Sequence, residues 1–349
     1  MKNSGNDSRA EGRPPMTIKD LAAKTGYAVG TVSRALNHQP NVSEKARQAI
    51  LEAARESGFQ LNQNAKQLKQ VHSTNILVVI KGTRNELFAE LLEVIQAQVA
   101  ATRYSLVVDY MDENENEVHR ALQLIQEKKP LGILFLGGNE KNFLGDFSSV
   151  DVPSVLVTSA AGNLPFANLS SVCVDDRTAA RQALETLIAL GHRRIALIGG
   201  MKEVSDISRL RYEGCLDAFR AHEIPFDPEK DYLGVKYNYS FGYQAAMELL
   251  DRGRDYTAIF AGADVLAIGA IRALRDRGLR VPEDVSVMGF DGLPVGDFLV
   301  PRLATVVQSR QELGKKSVEI LLAAIEQGEP PRHQAAAFTV LPRESIKKL

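Results

Sequence analysis

The chain has 349 residues, of which 44% are hydrophobic and 24% are charged, and its net charge is −1. This length is enough for a small domain followed by a body of one or two ordinary domains. No apolar run is long enough to span a bilayer, and residues 1–15 are too polar for a secretory signal. Cys173 and Cys215 lack CxxC spacing and indicate neither a disulfide framework nor a metal site. We expect a cytoplasmic protein with no membrane segment, metal or cofactor, and a disordered leader at residues 1–15.

Charge divides the chain into two unequal parts. Residues 1–72 carry 11 Lys and Arg against 6 Asp and Glu, a net charge of +5. Residues 73–349 carry 31 against 37, a net charge of −6. The near-neutral total therefore hides a basic N-terminal region, of the kind that attracts a phosphate backbone in a salt-dependent manner.

The folded part of the basic region begins with two short helical patterns that are separated by a turn. Apolar residues recur at helical spacing on both sides of Gly26, at Ile18, Leu21, Ala22, Val32, Ala35 and Leu36. A third helix is predicted after the N-cap Ser43, with Gly58 as its stop. Its predicted buried stripe consists of Ala46, Ala49, Ile50, Ala53 and Ala54. The pattern is typical of a helix-turn-helix that enters the DNA major groove, although a generic three-helix unit has the same stripes.

The exposed side of the second helix favours the DNA interpretation. Thr31, Ser33, Arg34 and Asn37 are short polar groups and one guanidinium, suited to phosphates and base edges. The polar segment that follows the third helix has two interpretations. It is either an ordinary linker or a short helix that forms only when a partner orders it, because a helix this short is marginal in water.

From residue 74 onward, strand and helix patterns alternate. Continuous Val, Ile and Leu runs such as NILVVIKG, GILFLGG and RIALIGG are typical of parallel strands covered on both faces. The pattern restarts after SVCVDD, which predicts two lobes. The first lobe is expected at about 74–172 plus 308–330, and the second at about 173–307 plus 331–345. Ligands of such sheets bind outside the carboxyl ends of the strands, so the cleft between the lobes is the predicted ligand site.

A series of motifs in fixed order runs from Thr17 to about Ser345: TIKDLAAKTG, TVSRALN, VSEKAR, GHRRIALIGG, RYEG, AIFAGADVLAIGA, GLRVPEDVSVMGFD, PRLATVVQ and LPRES. By these motifs the chain resembles the LacI/GalR (lactose-repressor/galactose-repressor) family of bacterial transcription regulators. The resemblance implies an all-α helix-turn-helix headpiece at 16–60, a hinge helix at 61–73, and a two-lobed α/β effector-binding domain at 74–345 that is similar to periplasmic sugar-binding proteins. It also implies a homodimer that binds a pseudo-palindromic double-stranded operator at the nucleoid, and a small-molecule effector such as a sugar or related metabolite.

The resemblance also implies which headpiece and hinge residues contact DNA. Phosphate contacts correspond to Thr17, Ser33, Asn37 and Ser43, and base-reading positions correspond to Val29, Gly30 and Arg34. Because Val29 and Gly30 offer no side-chain hydrogen bond, direct readout there is limited to thymine methyl contact. Arg34 is the best candidate for a guanine edge, with a phosphate contact as its alternative. In the hinge, Leu68 matches a leucine that wedges into the minor groove, with Ala65 beside it and Asn62 and Lys69 at the sugar-phosphate backbone.

The resemblance implies effector contacts at Phe88, Thr158, Arg211, Tyr237, Asp264 and Asp291, of which Thr158, Asp264 and Asp291 lie at the carboxyl ends of strands. The rings can stack on a sugar or base, and the charged groups can bind hydroxyls. Two alternatives remain, because Phe88 could be a core residue and Arg211 could pair with a neighbouring carboxylate. Ala263 and Gly292 replace polar residues that are common at those positions, so the identity of the effector does not transfer from any relative.

Two other classes of function compete with a ligand-controlled regulator. A solute-binding protein is disfavoured by the absence of a signal peptide and by the basic N-terminal region. An α/β enzyme is disfavoured because there is no phosphate loop, nucleophile elbow or metal-ligand cluster among the 6 His. No leucine heptads follow LPRESIKKL, so a dimer is the simplest assembly. We therefore expect a transcriptional regulator, most simply a repressor, and not an enzyme.

Overall fold

The structure is a computed structural model that describes residues 16–36, 40–57, 59, 73–82, 85–203, 205–253 and 255–349. Contacts within the chain divide it into two compact units, residues 1–73 and 74–349. Several predictions lie outside the described residues: the leader at 1–15, Gly58, and the DNA contacts Asn37, Asn62, Ala65, Leu68 and Lys69.

The first unit contains three helices, α1 (Ile18–Thr25), α2 (Val29–Leu36) and α3 (Glu44–Glu56). α1 ends at Gly26, whose φ of 71° lies in the left-handed region that glycine adopts at little cost. The three helices bury a common core of Leu21, Ala22, Val32, Ala35, Ile50 and Ala54. The predicted stripe of α3 was too broad, because Ala49 is exposed and Ala53 is only half-buried.

The first lobe of the second unit is built on a six-stranded sheet in the order β11-β5-β4-β3-β1-β2. Its strands are β1 (Asn75–Lys81), β2 (Ser105–Met111), β3 (Gly132–Leu136), β4 (Ser154–Val157), β5 (Leu169–Cys173) and β11 (His333–Ala335). All of its strand pairs are parallel. Its helices are α4 (Glu86–Ala100), α5 (Glu117–Lys128), α6 (Glu140–Asp146) and α12 (Arg310–Gln327), with a 3-10 turn at Phe147–Ser149.

The second lobe contains a six-stranded sheet in the order β12-β10-β9-β8-β6-β7. Its strands are β6 (Ile195–Gly199), β7 (Tyr232–Gly234), β8 (Ala258–Ala261), β9 (Ser286–Asp291), β10 (Ala304–Gln308) and β12 (Phe338–Leu341), and only the β10–β12 pair is antiparallel. Its helices are α7 (Asp176–Ala189), α8 (Asp206–Ala221), α9 (Pro228–Asp231), α10 (Tyr239–Asp251) and α11 (Asp264–Asp276), with a 3-10 turn at Pro294–Asp297.

The chain crosses between the lobes three times, after β5, β10 and β11. The third crossing differs from the prediction, which placed residues 331–345 in the second lobe. His333–Ala335 instead pairs with Ser171–Cys173 in the first sheet. The physical reason is that β5 would otherwise present an unpaired edge, which this short strand covers before the chain leaves the lobe.

Helices cover both faces of each sheet, as the continuous apolar strands predicted. β3 and β4 are buried throughout, as are β8 and β9. Apolar clusters lie on the two faces of each sheet. The predicted fold class, a helical headpiece followed by a two-lobed parallel α/β domain, is confirmed. In the described part of the chain, no helix is long and apolar enough to cross a membrane.

Candidate functional site

The second helix of the headpiece presents its first turn and one arginine to solvent. Val29 is 40% exposed, and a Cβ added at Gly30 would meet nothing within 4 Å. Arg34 is exposed one turn further along, whereas Thr31 and Ser33 are half-buried. Because this helix begins with small residues, the backbone at its N-terminus can approach a phosphate group closely.

Thr17 and Ser43, the other predicted phosphate contacts in the described headpiece, begin helices. The Thr17 hydroxyl lies 2.6 Å from the Asp20 carboxylate, and the Thr17 backbone N–H donates to the same oxygen at 2.8 Å. The Ser43 hydroxyl accepts from the backbone N–H of Ala46 at 3.3 Å. Both residues are exposed, so their capping roles leave them accessible to a partner.

The carboxyl ends of the two sheets face each other across a cleft. Segments that follow β1, β2 and β3 contact segments that follow β6 and β7. The Glu140 backbone N–H donates to Asp206 at 3.1 Å, and Lys236 pairs with Glu113 at 2.9 Å. The Tyr239 hydroxyl donates to Glu86. Segments that follow the strands of both sheets therefore meet at the junction between the lobes.

Arg211 on α8 lies at the centre of a buried charge network. Its Nε donates to Asp176 at 2.7 Å, and its Nη1 donates to the Gly262 carbonyl at 2.6 Å. Nη1 also lies 3.5 Å from Asp291, and the guanidinium stacks 3.7 Å from the centroid of the Phe290 ring. The salt-bridge alternative for Arg211 is therefore the arrangement present in this structure.

Burial and charge pairing oppose each other in this network. Burial raises the pKa of Asp291 to about 6, although Arg211 works against that rise. Burial likewise raises the pKa of Asp176. Burial disfavours the charge of Arg211, but Asp176 and Asp291 more than compensate and raise the pKa of its guanidinium. The arginine therefore remains cationic, with its charge balanced by its own chain.

Tyr237 lies beside this network at the end of β7. Its hydroxyl is 2.8 Å from the Ser208 hydroxyl on α8. A cavity of about 10 Å³ lies against Gly200, Ser208, Arg211 and Tyr237. A space of this size admits about one water molecule. The space beside Arg211 and Tyr237 is therefore small.

Asp291 and Asp264 were both predicted to bind the effector, and the structure places them differently. Asp291, at the end of β9, accepts from the Gln308 amide at 2.8 Å and has a φ of 117°. Asp264 is fully buried, and it accepts from the Thr305 hydroxyl at 2.6 Å and from the Leu293 backbone N–H at 2.7 Å. Burial, with a contribution from Asp291, raises the pKa of Asp264 to about 8. Asp264 therefore supports the turn after β9 and presents no surface to the cleft here.

Phe88 is a core residue in this structure. It is 6% exposed and belongs to the apolar cluster between α4 and the first sheet. Its ring packs against Gly137, where an added Cβ would lie 3.0 Å from the ring. The core alternative for Phe88 is therefore the arrangement observed, and Gly137 is small because the ring occupies the adjacent space.

Thr158 and Ser159 follow β4 and are unusual in two respects. They are 3% and 7% exposed, and among the described residues neither hydroxyl has a hydrogen-bond partner. Thr158 also has a φ of 74°, a left-handed conformation that is strained for a β-branched residue. Thr158 was a predicted contact, whereas Ser159 was not.

A buried ion pair at the end of β1 was missed as a site feature. Lys81 pairs with Glu117, which is fully buried. Glu117 also accepts from the Asn139 backbone N–H at 2.6 Å and from the Asn142 amide at 2.8 Å. The sequence carried no distinguishing signal, because Glu117 resembles any acidic residue in the first turn of an exposed helix.

Each of the two units contains a segment that matches a known protein family. Residues 17–62 match the family model for bacterial regulatory proteins of the lacI family, and residues 184–346 match a periplasmic binding protein-like domain. The HTH-type transcriptional regulator MalR of Clostridium butyricum is 33% identical over 95% of this chain and 99% of its own length. A lac repressor dimer bound to operator and an anti-inducer has a TM-score of 0.77 at 25% identity and covers 96% of this chain and 100% of that chain.

The transcriptional regulator CelR in complex with cellobiose has a TM-score of 0.71 at 27% identity, covering 95% of this chain and 100% of that chain. These relatives are transcriptional regulators and not enzymes, and the family resemblance identified from the sequence is confirmed. The headpiece matches the family model, a full-length relative is more than 30% identical, and the two-lobed fold is shared with a lac repressor. This chain therefore belongs to the lacI family of bacterial regulatory proteins.

Proposed function

We propose that this protein is a ligand-responsive transcriptional regulator, most simply a repressor, that binds a pseudo-palindromic operator as a homodimer. Residues 16–60 form the DNA-binding headpiece, residues 61–73 the hinge, and residues 74–345 the effector and dimerisation domain. The observation that carries the proposal is the presence, in one chain, of an exposed recognition helix and a two-lobed cleft lined by polar strand ends. Relatives with this function act on DNA in the cytoplasm, where we place this protein.

On the DNA side, Arg34 supplies the principal base contact in each half-site. It is the exposed guanidinium on α2, and a guanidinium can donate two hydrogen bonds to a guanine edge. Val29 and Gly30 bring the helix close to the groove without hydrogen-bonding side chains. Thr17, Thr31, Ser33 and Ser43 contact phosphates and set the orientation of the helix. The predicted hinge contacts Asn62, Ala65, Leu68 and Lys69, together with Asn37, complete this interface.

On the effector side, Arg211, Tyr237, Asp291 and Thr158 form the ligand site. CelR binds cellobiose, a sugar, in a fold that matches this chain over most of its length. Asp264 and Phe88 support the site from behind, since both are buried in their own lobes. Binding changes the relation of the lobes and thereby the DNA affinity, with a coupling free energy of about 1–3 kcal/mol.

Selection from a random duplex library tests the DNA side directly. Full-length protein is expected to enrich a two-fold symmetric site. Arg34→Ala is expected to relax the preference at one base pair per half-site by about 1–3 kcal/mol. The matched control is Arg55→Ala, which removes an exposed arginine from α3 and leaves the enriched sequence unchanged. Failure of the wild-type protein to enrich any sequence would contradict the proposal, and an unchanged preference in Arg34→Ala would reduce Arg34 to a phosphate contact.

A further inference from the structure

A second cavity, of about 180 Å³, lies in the first lobe at the edge of the sheet away from the cleft. It opens beneath the last turns of α12, beside the residues with which β4 and β5 begin. Its apolar wall includes Pro153, Leu321, Ala324 and Pro331, and its polar side includes Asn168 and Ser170. None of these residues belongs to the operator contacts or to the effector site between the lobes. The cavity is therefore a separate feature of the first lobe.

The packing of α12 explains why space remains there. Over β3 the helix lies close to the sheet, since a Cβ added at Gly132 would lie 2.8 Å from Leu321 and 2.9 Å from Ile325. Towards β4 and β5 the gap is bordered by small side chains, with Ala324 on the helix and Ser170 on the strand. Close-packed proteins leave few voids larger than a water molecule. The space is therefore set by small side chains beside a tightly packed helix.

Two polar groups at the cavity have unused hydrogen-bonding capacity. The Ser170 hydroxyl is 4% exposed and accepts from the backbone N–H of Arg332 at 3.1 Å, but the described residues offer no acceptor for its own hydrogen. The Asn168 amide donates to the carbonyls of Val150 and Val152 at 2.8 Å and 3.2 Å, and no described residue donates to its Oδ1. A ligand satisfies both groups if it brings one acceptor and one donor, and an amide group carries both.

Size and charge narrow the class of ligand further. A cavity of roughly 150 Å³ can hold one benzene ring, so a cavity of about 180 Å³ has room for a six-membered ring with a small substituent. Glu329 at the cavity already pairs with Arg332. α12 ends at Gln327, and the partial negative charge at the C-terminus of a helix disfavours an anion. The cavity therefore fits a neutral compound with a single ring.

We propose that this cavity is a second small-molecule site, which binds a neutral monocyclic compound through an amide group. The amide oxygen accepts from the Ser170 hydroxyl, and the amide N–H donates to Oδ1 of Asn168. α12 begins directly after the crossing that follows β10, and residues 328–332 lead from it into β11. A ligand beneath α12 therefore contacts a segment that lies between two of the three connections of the lobes, and from there it can affect how the lobes are related.

Isothermal titration of the full-length protein with benzamide tests the site, because benzamide is a single ring with one uncharged amide. Benzoate is the matched ligand control, since it has nearly the same size and carries a negative charge. We expect saturable benzamide binding with a dissociation constant of about 0.1–1 mM, and at least tenfold weaker binding of benzoate. No benzamide binding up to roughly 10 mM, or equal affinity for the two compounds, would overturn the proposal.

Two variants test whether benzamide binds in this cavity. Ala324→Leu fills the space with a residue that helices accommodate well, and it is expected to weaken benzamide binding at least tenfold. The matched control is Ala323→Leu, which adds the same side chain at a half-buried position outside the cavity lining and leaves the affinity unchanged. Ser170→Ala removes the hydroxyl donor and is expected to weaken binding about 2–10-fold.

Unchanged benzamide affinity in either variant would place the compound elsewhere and overturn the proposal. Ser170→Ala, which only removes an oxygen atom, tests the same site if Ala324→Leu does not fold. The operator selection does not involve this cavity, so its outcome and the outcome of the benzamide titration are independent of each other.

Discussion

The two lobes share one plan, since each has a six-stranded sheet with strands in corresponding order, yet their facing edges treat polar groups differently. In the second lobe, the guanidinium of Arg211 is balanced by two carboxylates, and Asp264 has its own donors. In the first lobe, Thr158 and Ser159 are buried without partners. The polar groups at the second-lobe edge are therefore paired within the chain, whereas two hydroxyls at the first-lobe edge have no partner among the described residues.

This difference shows why burial alone does not identify a binding residue. Arg211 and Thr158 are about equally buried, at 7% and 3% exposure. What separates them is whether the chain itself satisfies the polar atom. A paired buried charge keeps its network in one arrangement, whereas an unpaired buried hydroxyl raises the free energy of the ligand-free state.

The largest expected effect comes from breaking the second-lobe network. Arg211→Met leaves Asp176 and Asp291 buried without their cation, and we expect the free energy of unfolding to fall by about 3–5 kcal/mol. Urea unfolding measures this change. Arg181→Met is the matched control, since Arg181 forms an exposed pair with Glu185 at 2.8 Å; its expected effect is about 0–1 kcal/mol. Similar losses in both variants would show that the Arg211 network is no stronger than a surface pair.

A smaller effect is expected from the titration of Asp264. Its pKa is raised to about 8 by burial, so the folded state holds a proton that the unfolded state releases near pH 4. Stability from this group is therefore present at low pH and is lost as the pH rises towards 8. Relative to Asp264→Asn, which does not titrate, the wild type is expected to lose roughly 3–4 kcal/mol between pH 5 and 8. A pH-independent difference between the two proteins would contradict this assignment.

The smallest effect is expected at the rim that joins the lobes. Tyr239→Phe removes the hydroxyl that bonds Glu86; Tyr239 is exposed and Glu86 is half-buried. Because water can replace this contact, the free energy of unfolding is expected to change by less than about 1 kcal/mol. Chemical denaturation of the variant beside the wild type measures it. A loss comparable to that of Arg211→Met would mean that the rim, and not the buried network, dominates the stability of the domain.

Patterns with a simple physical cause predicted the fold well. Apolar runs such as Ile76–Ile80 predict buried parallel strands because both faces of the sheet are covered, and the structure buries all five residues. Gly26 predicts the turn between the first two helices because its backbone conformation is unfavourable for other residues. The position of His333–Ala335 could not be predicted, because three residues carry no periodicity and their placement depends on a free edge formed far away in the sequence.

The sequence predicted which residues belong to the candidate site, but not which of them are paired within the chain. Strand ends identify Asp264, Asp291 and Thr158 as candidates, whereas Arg211 was implied only by the family resemblance. Whether each is paired or unpaired depends on partners more than thirty residues away, such as Asp176 for Arg211 and Thr305 for Asp264. Ser159 and Glu117 show the same limit, since a serine after a strand and a glutamate at a helix start are common outside binding sites.

Coupling between the cleft and the DNA is the central requirement of a ligand-responsive regulator. The decisive measurement is the affinity of the full-length protein for its selected operator across a panel of neutral sugars, with a scrambled duplex as the control. We expect at least one sugar to change the operator dissociation constant by about 5–150-fold while leaving the scrambled duplex unaffected. An operator affinity that is the same with every sugar in the panel would contradict this coupling.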